Sequence, residues 1–237
     1  AVQYAEFSQN GQYLLTRTAL VIKIWNAKTG VQIGSDIAHG ASVSLAIFSP
    51  DSQYIVTTGA DKTLKVWKAS DGTIANTGWS TSRYHNSLYA ITSIAFSADS
   101  SYVITGSSSD TNVKLWKVSD PTIVKTLAVG AYVKSVAPHP TDSTKAAVGL
   151  SNGYAKTIKN FTTTPAPDTV TYHMGLSTYA VNFVKYSPNG IYLATGDSNK
   201  VARVFTIGTA TTTKTLTGTT NIKSLVFSPG SQYVLVT

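Results

Sequence analysis

The stretch Val43-Ser44-Leu45-Ala46-Ile47-Phe48-Ser49-Pro50-Asp51-Ser52-Gln53-Tyr54-Ile55-Val56-Thr57-Thr58-Gly59-Ala60-Asp61-Lys62-Thr63-Leu64-Lys65-Val66-Trp67 decides the fold. Its apolar, β-branched and aromatic runs are short. They are separated by Ser-Pro-Asp-Ser and Gly-Ala-Asp-Lys, which are turn chemistry. Three strands therefore fit into one stretch, and a weaker run beyond the Trp supplies a fourth. Nowhere does the chain hold an Ala/Glu/Lys/Leu-rich segment that reads as a long helix.

The same text recurs along the chain. An aromatic-Ser phrase closing on Tyr appears at Phe7-Ser8 to Tyr13, Phe48-Ser49 to Tyr54, Phe96-Ser97 to Tyr102, Tyr186-Ser187 to Tyr192 and Phe227-Ser228 to Tyr233, with a worn copy at Ala137-Pro138-His139-Pro140. A second phrase follows the first copies: Lys23-Ile24-Trp25, Lys65-Val66-Trp67, Lys114-Leu115-Trp116, Lys156-Thr157-Ile158 and Arg203-Val204-Phe205. With Ala137 standing for the worn aromatic, successive copies are 41, 48, 41, 49 and 41 residues apart. Short and long units thus alternate, and Gly40-Ala41-Ser42-Val43 matches Gly130-Ala131-Tyr132-Val133, as duplication of a two-unit block would leave them. A single four-stranded sheet cannot cover both of its faces, whereas radial stacking on its neighbours does. The expected fold is all-β: a β-propeller of four-stranded antiparallel blades, one unit over residues 1–237, with blade phrases starting near 1, 43, 91, 133, 181 and 222. Ala1-Val2 aligns with Ala180-Val181 and Thr237 with Thr195, so the expectation is an incomplete ring of five full blades plus two strands of a sixth, part of a larger chain or complex. Pro138 and Pro140 are expected to end the worn blade's first strand before Pro138.

The second unit resembles the WD-repeat family. His39 stands four residues before Val43, Thr57 four before Asp61, and Asp61 six before Trp67. In that family such residues form a structural network tying the loop before a blade to its second and third strands. The third unit keeps Thr105, Asp110 and Trp116; the fourth has Asn152 at the Asp place and no Trp, the fifth Asn199 and Phe205, and the first Ala19 in place of the Asp. The Trp-Asp dipeptide itself is replaced by Trp25-Asn26, Trp67-Lys68 and Trp116-Lys117. The resemblance implies a non-enzymatic scaffold presenting propeller-face loops to other proteins.

Composition narrows the chemistry. The chain has 237 residues, no Cys, 13% charged residues and, by count, 61 Ser and Thr. Disulfides and Cys-ligated metals are excluded. His39, His85, His139 and His173 have no metal-site spacing, and His139, in its Pro-His-Pro turn, is expected at the surface. Asp51, Asp71, Asp99, Asp120 and Asp142 sit at turn positions where they bond nearby backbone. No nucleophile elbow, Walker loop or dinucleotide fingerprint appears. No catalytic residue, metal or cofactor is assigned, and the chain is read as not an enzyme. The net charge of +8 raises acidic protein surfaces as partners. Nucleic acid is disfavoured because Lys23, Lys65, Lys114, Lys156 and Arg203 recur two before each Trp place as a repeat constraint and the remaining cations are spread singly. No apolar run is long enough for a membrane span.

Two inserts stand out, 76–89 and 162–179, each holding Tyr-His and then Tyr-Ala. They are read as loops that follow a fourth strand and lead into a first strand. Trp79, Arg83, Tyr84, His85, Tyr89, Tyr172, His173 and Tyr179 are the candidate partner-binding residues, being types rich in interface contacts. Two other readings stay open. One is a structural repeat unit of a cytoskeletal or extracellular assembly. The other is a carbohydrate-binding or enzymatic propeller using the central channel. The resemblance implies a cytoplasmic or cytoskeletal setting; low charge and abundant Ser and Thr also suit an extracellular one.

Overall fold

The structure is a computed structural model. It describes all residues except 81–82, 85–88, 163–167, 174–178 and 210–211, and the side chains of Ser80, Arg83, Tyr84, Asp168, Val170, Thr171, Tyr172 and His173 lie outside it as well.

Among the described residues, five four-stranded antiparallel sheets and a two-stranded one follow each other along the chain. Blade one holds Tyr4–Phe7 (β1), Tyr13–Arg17 (β2), Val21–Asn26 (β3) and Gln32–Ala38 (β4). Blade two holds Val43–Phe48 (β5), Tyr54–Gly59 (β6), Thr63–Lys68 (β7) and Arg83–Tyr84 (β8). Blade three holds Ser93–Phe96 (β9), Tyr102–Gly106 (β10), Asn112–Lys117 (β11) and Ile123–Ala128 (β12). Blade four holds Val133–Pro138 (β13), Ala146–Leu150 (β14), Tyr154–Lys159 (β15) and Asp168–His173 (β16). Blade five holds Val181–Tyr186 (β17), Tyr192–Asp197 (β18), Val201–Thr206 (β19) and Thr212–Thr217 (β20), and Leu225–Phe227 (β21) pairs with Val234–Val236 (β22). Inner strands of successive blades touch, from β1 to β5 through to β17 and β21. All six line one cavity of about 650 Å³, the central channel.

The core lies between blades. Leu15, Ile24 and Ile37 of blade one pack on Ala46, Phe48 and Ile55 of blade two; Val66 of blade two packs on Phe96, Val103 and Trp116 of blade three. Phe48, Phe96 and Tyr186 are buried in this way, each against the preceding blade, whereas Phe7 is 64% exposed on the first blade's uncovered face. Tyr233 and Leu235 are exposed at the other end of the arc. The sheets do not close into a ring.

Four expectations are corrected. First, β13 extends through Pro138, which pairs with Ala146. His139 N–H bonds Lys145 O as Ser49 N–H bonds Tyr54 O, so Pro138, not Ala137, occupies the aromatic place. At that place in blade two the Phe48 N–H leaves the ladder and donates to Glu6 Oε2 at 3.4 Å. A proline there removes no ladder donor, which is why it is tolerated. Second, the inserts contain the fourth strands instead of following them: β8 and β16 pair with β7 and β15. The outer edge of a blade must be paired, and in these two blades the insert is the segment that pairs it. Third, His139 is buried, its ring edge-on to Tyr186 with centroids 4.9 Å apart. A Cβ on Gly190, which has φ of +70°, would meet that ring at 2.5 Å, so only glycine fits beneath it. Fourth, Trp79 is fully buried and is not a contact residue. Its indole N–H donates to Val118 O at 2.9 Å and its ring lies 6.5 Å from Trp116.

The aromatic-Ser phrase has a physical basis. In five blades the Ser Oγ accepts the amide of the Tyr five residues on, at 2.9–3.0 Å. Four of these hydroxyls also donate to Asn10, Asp51, Asp99 or Asn189. Adjacent turns are then clasped. Amides of Asn10, Asp51 and Asn189 donate to Ser52, Ser100 and Ser231 of the next blade, at 3.0–3.2 Å. Each of those three serines holds a positive φ near 60°.

Candidate functional site

Antiparallel order gives the arc two distinct ends. The loops entering the inner strands and the links between second and third strands share one end, called here the entry face. Turns after the inner strands, and those between third and fourth strands, share the opposite turn face.

On the entry face of blade two, four side chains interlock. Trp67 Nε1–H donates to Thr57 Oγ1 at 2.9 Å. Thr57 Oγ1 lies 2.8 Å from His39 Nε2, and His39 Nδ1 lies 3.3 Å from Asp61 and 2.9 Å from Thr63 Oγ1. Burial, with Lys65 nearby, lowers the His39 pKa despite Asp61, so the imidazole is neutral at pH 7. The consistent polarity runs from the Trp67 N–H to Thr57, from the Thr57 O–H to Nε2, and from the Nδ1–H to Asp61. Burial alone would raise the Asp61 pKa. Hydrogen bonds from the Thr63 amide and hydroxyl and from the Gly40 amide, with His39 beside it, more than offset this and hold it low. The network fixes the loop entering β5 on the second and third strands; its groups are spent on one another and are not arranged to transform a ligand.

Blade three joins Trp116 to Thr105 at 2.9 Å, and Asp110 accepts from the Asn112 amide and side chain at 3.0 and 2.6 Å. Blade one joins Trp25 to Thr16 at 2.8 Å. In blade five the acting carboxylate is Asp197, two residues before Asn199. It is buried, accepts from the Asn199 and Val201 amides, and lies 3.5 Å from Arg203. The sequence reading missed it because it searched only the expected Asp place; the adjacent recurring Arg203 was the available signal.

The candidate contact residues divide. Tyr89 and Tyr179 are 40% and 46% exposed beside the starts of the third and fifth inner strands. Tyr132, which the inserts did not point to, is 49% exposed immediately before β13. The three mark the entry loops of three consecutive blades. By backbone, Arg83 and Tyr84 lie in β8, and Tyr172 and His173 in β16, toward the entry face of their outer strands. Their side chains, and His85 altogether, lie outside the described residues.

Inside the channel, burial raises the Glu6 pKa, although the Phe48 amide, Tyr4 and Lys185 oppose it. Among the described residues no group of three or more His, Cys, Asp or Glu is placed to hold a metal. No described helix is long and apolar enough to cross a membrane.

The family model described as "WD domain, G-beta repeat" matches residues 30–68, 80–117 and 169–206. These matches end just past Trp67, Trp116 and Phe205. A stretch of 48 residues is 40% identical to DDB1- and CUL4-associated factor 13 of Dictyostelium discoideum, covering 20% of this chain and 11% of that protein. The crystal structure of the computationally designed Ika8 protein superimposes with a TM-score of 0.79 at 20% identity, covering all of this chain and 67% of that one. That likeness is one of fold. Three stretches of the chain are thus WD repeats by the family model, and the remaining blades of this open β-propeller are built on the same strand register.

Proposed function

We propose that the chain acts as a non-catalytic protein-interaction scaffold whose partner-binding surface is the entry face. The carrying observation is the row Tyr89, Tyr132 and Tyr179, exposed at the entry loops of three consecutive blades. A tyrosine offers a large contact area with few rotamers to freeze and a hydroxyl to satisfy, and a rigid β scaffold holds its loop in place before binding. The matched WD repeats support an interaction role in general terms. The Dictyostelium relative, named as associating with other proteins, points the same way.

The test is selection of short random peptides, displayed as a library, on the immobilised full chain. Tyr132→Ala should weaken the selected peptides by about tenfold, as loss of a contact anchor does, while the melting temperature stays nearly unchanged. Peptides that bind wild type and the triple variant Tyr89→Ala/Tyr132→Ala/Tyr179→Ala equally would move the binding surface elsewhere.

A further inference from the structure

The carboxylates of this protein are distributed unevenly between its two faces. Five of the eleven carboxylates, Asp51, Asp71, Asp99, Asp120 and Asp142, are on the turn face. On the entry face Asp61, Asp110 and Asp197 are each closed into hydrogen bonds with neighbouring amides or side chains. On the outer strand of blade one, Asp36 is paired with Lys23 at 3.2 Å.

The channel repeats this polarity. At the entry-face end of each inner strand an apolar residue, Val2, Val43, Ile91, Val133, Val181 or Ile222, stands at or just before the strand's start, and the next residue lies on the entry side of the residues that line the channel. Those second residues are Gln3, Ser44, Thr92, Lys134, Asn182 and Lys223: two cations, four neutral groups and no acid. In blades two, four and five the second residue is the one the ladder skips, where a bulge frees it from pairing. Lys134 is half-buried and Lys223 exposed. At the opposite mouth a cavity of about 510 Å³ is lined by Asp51, Asp99 and His139. Lys134 also stands two residues from Tyr132, the middle member of the exposed row.

We infer that the segment received by the entry face is an acidic stretch of a protein, seated between the tyrosine row and the lysine-bearing mouth of the channel. The inference rests on the scaffold reading and adds the chemistry of the partner. Such a face attracts an acidic chain at long range and repels a basic one, and its buried Asp197 lies 3.5 Å from Arg203. The tyrosines supply apolar contact that charge alone does not. An acidic peptide fits this better than a nucleic acid, because the cations at the mouth are two and separated by a blade, not a stripe that tracks phosphates.

The same peptide selection carries the test. Selected sequences should be enriched in Asp and Glu, and a synthetic representative should lose about tenfold in affinity between ~50 and ~300 mM salt. Lys134→Glu/Lys223→Glu should weaken it by about tenfold or more. Lys28→Glu/Lys117→Glu, the same charge change on the turn face, should change it by less than about twofold, since both lie beyond a screening length. Neutral or basic selected peptides that still depend on Tyr132 would overturn the acidic inference and leave the scaffold reading standing. Equal losses from the two double variants would overturn it too, as would a single-stranded or duplex oligonucleotide that binds as tightly as the peptide and is lost with the same two lysines. Acidic peptides lost in the lysine variant and indifferent to all three tyrosines would keep the charge preference and remove the tyrosine row from the site.

Discussion

Blade two carries His39, Thr57 and Trp67 at three places where blade four carries Val129, Val148 and Ile158. The strand registers correspond: Thr57 pairs with Lys65 as Val148 pairs with Lys156. Blade four's three residues are all buried in one apolar cluster with Phe161. Replacing every member of a buried polar network by apolar groups avoids unsatisfied donors, so the exchange is tolerated where a single replacement is not. The recurring lysine changes its task in step. Lys65 lies over the Trp67 ring at 5.8 Å, and Lys156, with no ring to cover, donates to Val129 O at 2.9 Å. Both blades thereby fasten the loop entering their first strand, one by polar links and the other by packing and a lysine tether. The lesson is that a worn repeat need not be a loose one.

This comparison can be broken most easily at Ile158. Ile158→Ala should cost about 2–5 kcal/mol in a denaturant melt, the cost of a cavity in a packed cluster. A loss below about 1 kcal/mol would show that apolar packing does not hold blade four. Next is the interface to blade five. A Cβ on Gly149 would lie 2.5 Å from Val181 O, whereas blade two has Thr58 at that place with its side chain buried. Gly149→Ala should therefore destabilise by about 1–3 kcal/mol through overpacking, and Thr58→Ala should not do so by that mechanism. In blade two, Asp61→Ala should cost about 1–3 kcal/mol by leaving His39 and the Gly40 and Thr63 amides short of an acceptor. Asn152→Ala, at the same place in blade four, should cost clearly less.

The pH response separates the blades further. His39 and His139 both have folded pKa values below their unfolded value near 6.5, burial being the main cause in each. Below that pH the unfolded chain binds the proton more readily, so stability is full above it and falls as pH drops toward the folded values. His39→Asn and His139→Asn should each flatten the slope of melting temperature between about pH 7 and pH 5. A slope unchanged in both variants would contradict the neutral imidazoles. The smallest effect is expected at the clasp. Ser52→Gly relieves a positive φ and removes the bond from Asn10, opposing terms of about 1 kcal/mol each, so the net change should stay within about 1 kcal/mol.

Much of this protein could be read from residue order alone. Strand type, four-stranded units, alternating unit length and the His39–Thr57–Asp61–Trp67 grouping all rest on local spacing, and local spacing survives in sequence because each blade is built from consecutive residues. The worn blade was misread by one residue, Ala137 for Pro138, because only the ladder defines which residue faces which; with Pro138 the spacings become 41, 48, 42, 48 and 41. Trp79 could not be recognised as core, nor His139 as buried, since each is covered by residues of another blade. Exposure of Tyr132, burial of Asp197 and the uneven placement of carboxylates between faces likewise depend on which loops share an end of the arc. Sequence period determines the blade; contact between blades, which joins residues some forty positions apart, decides what is buried and what is left for a partner.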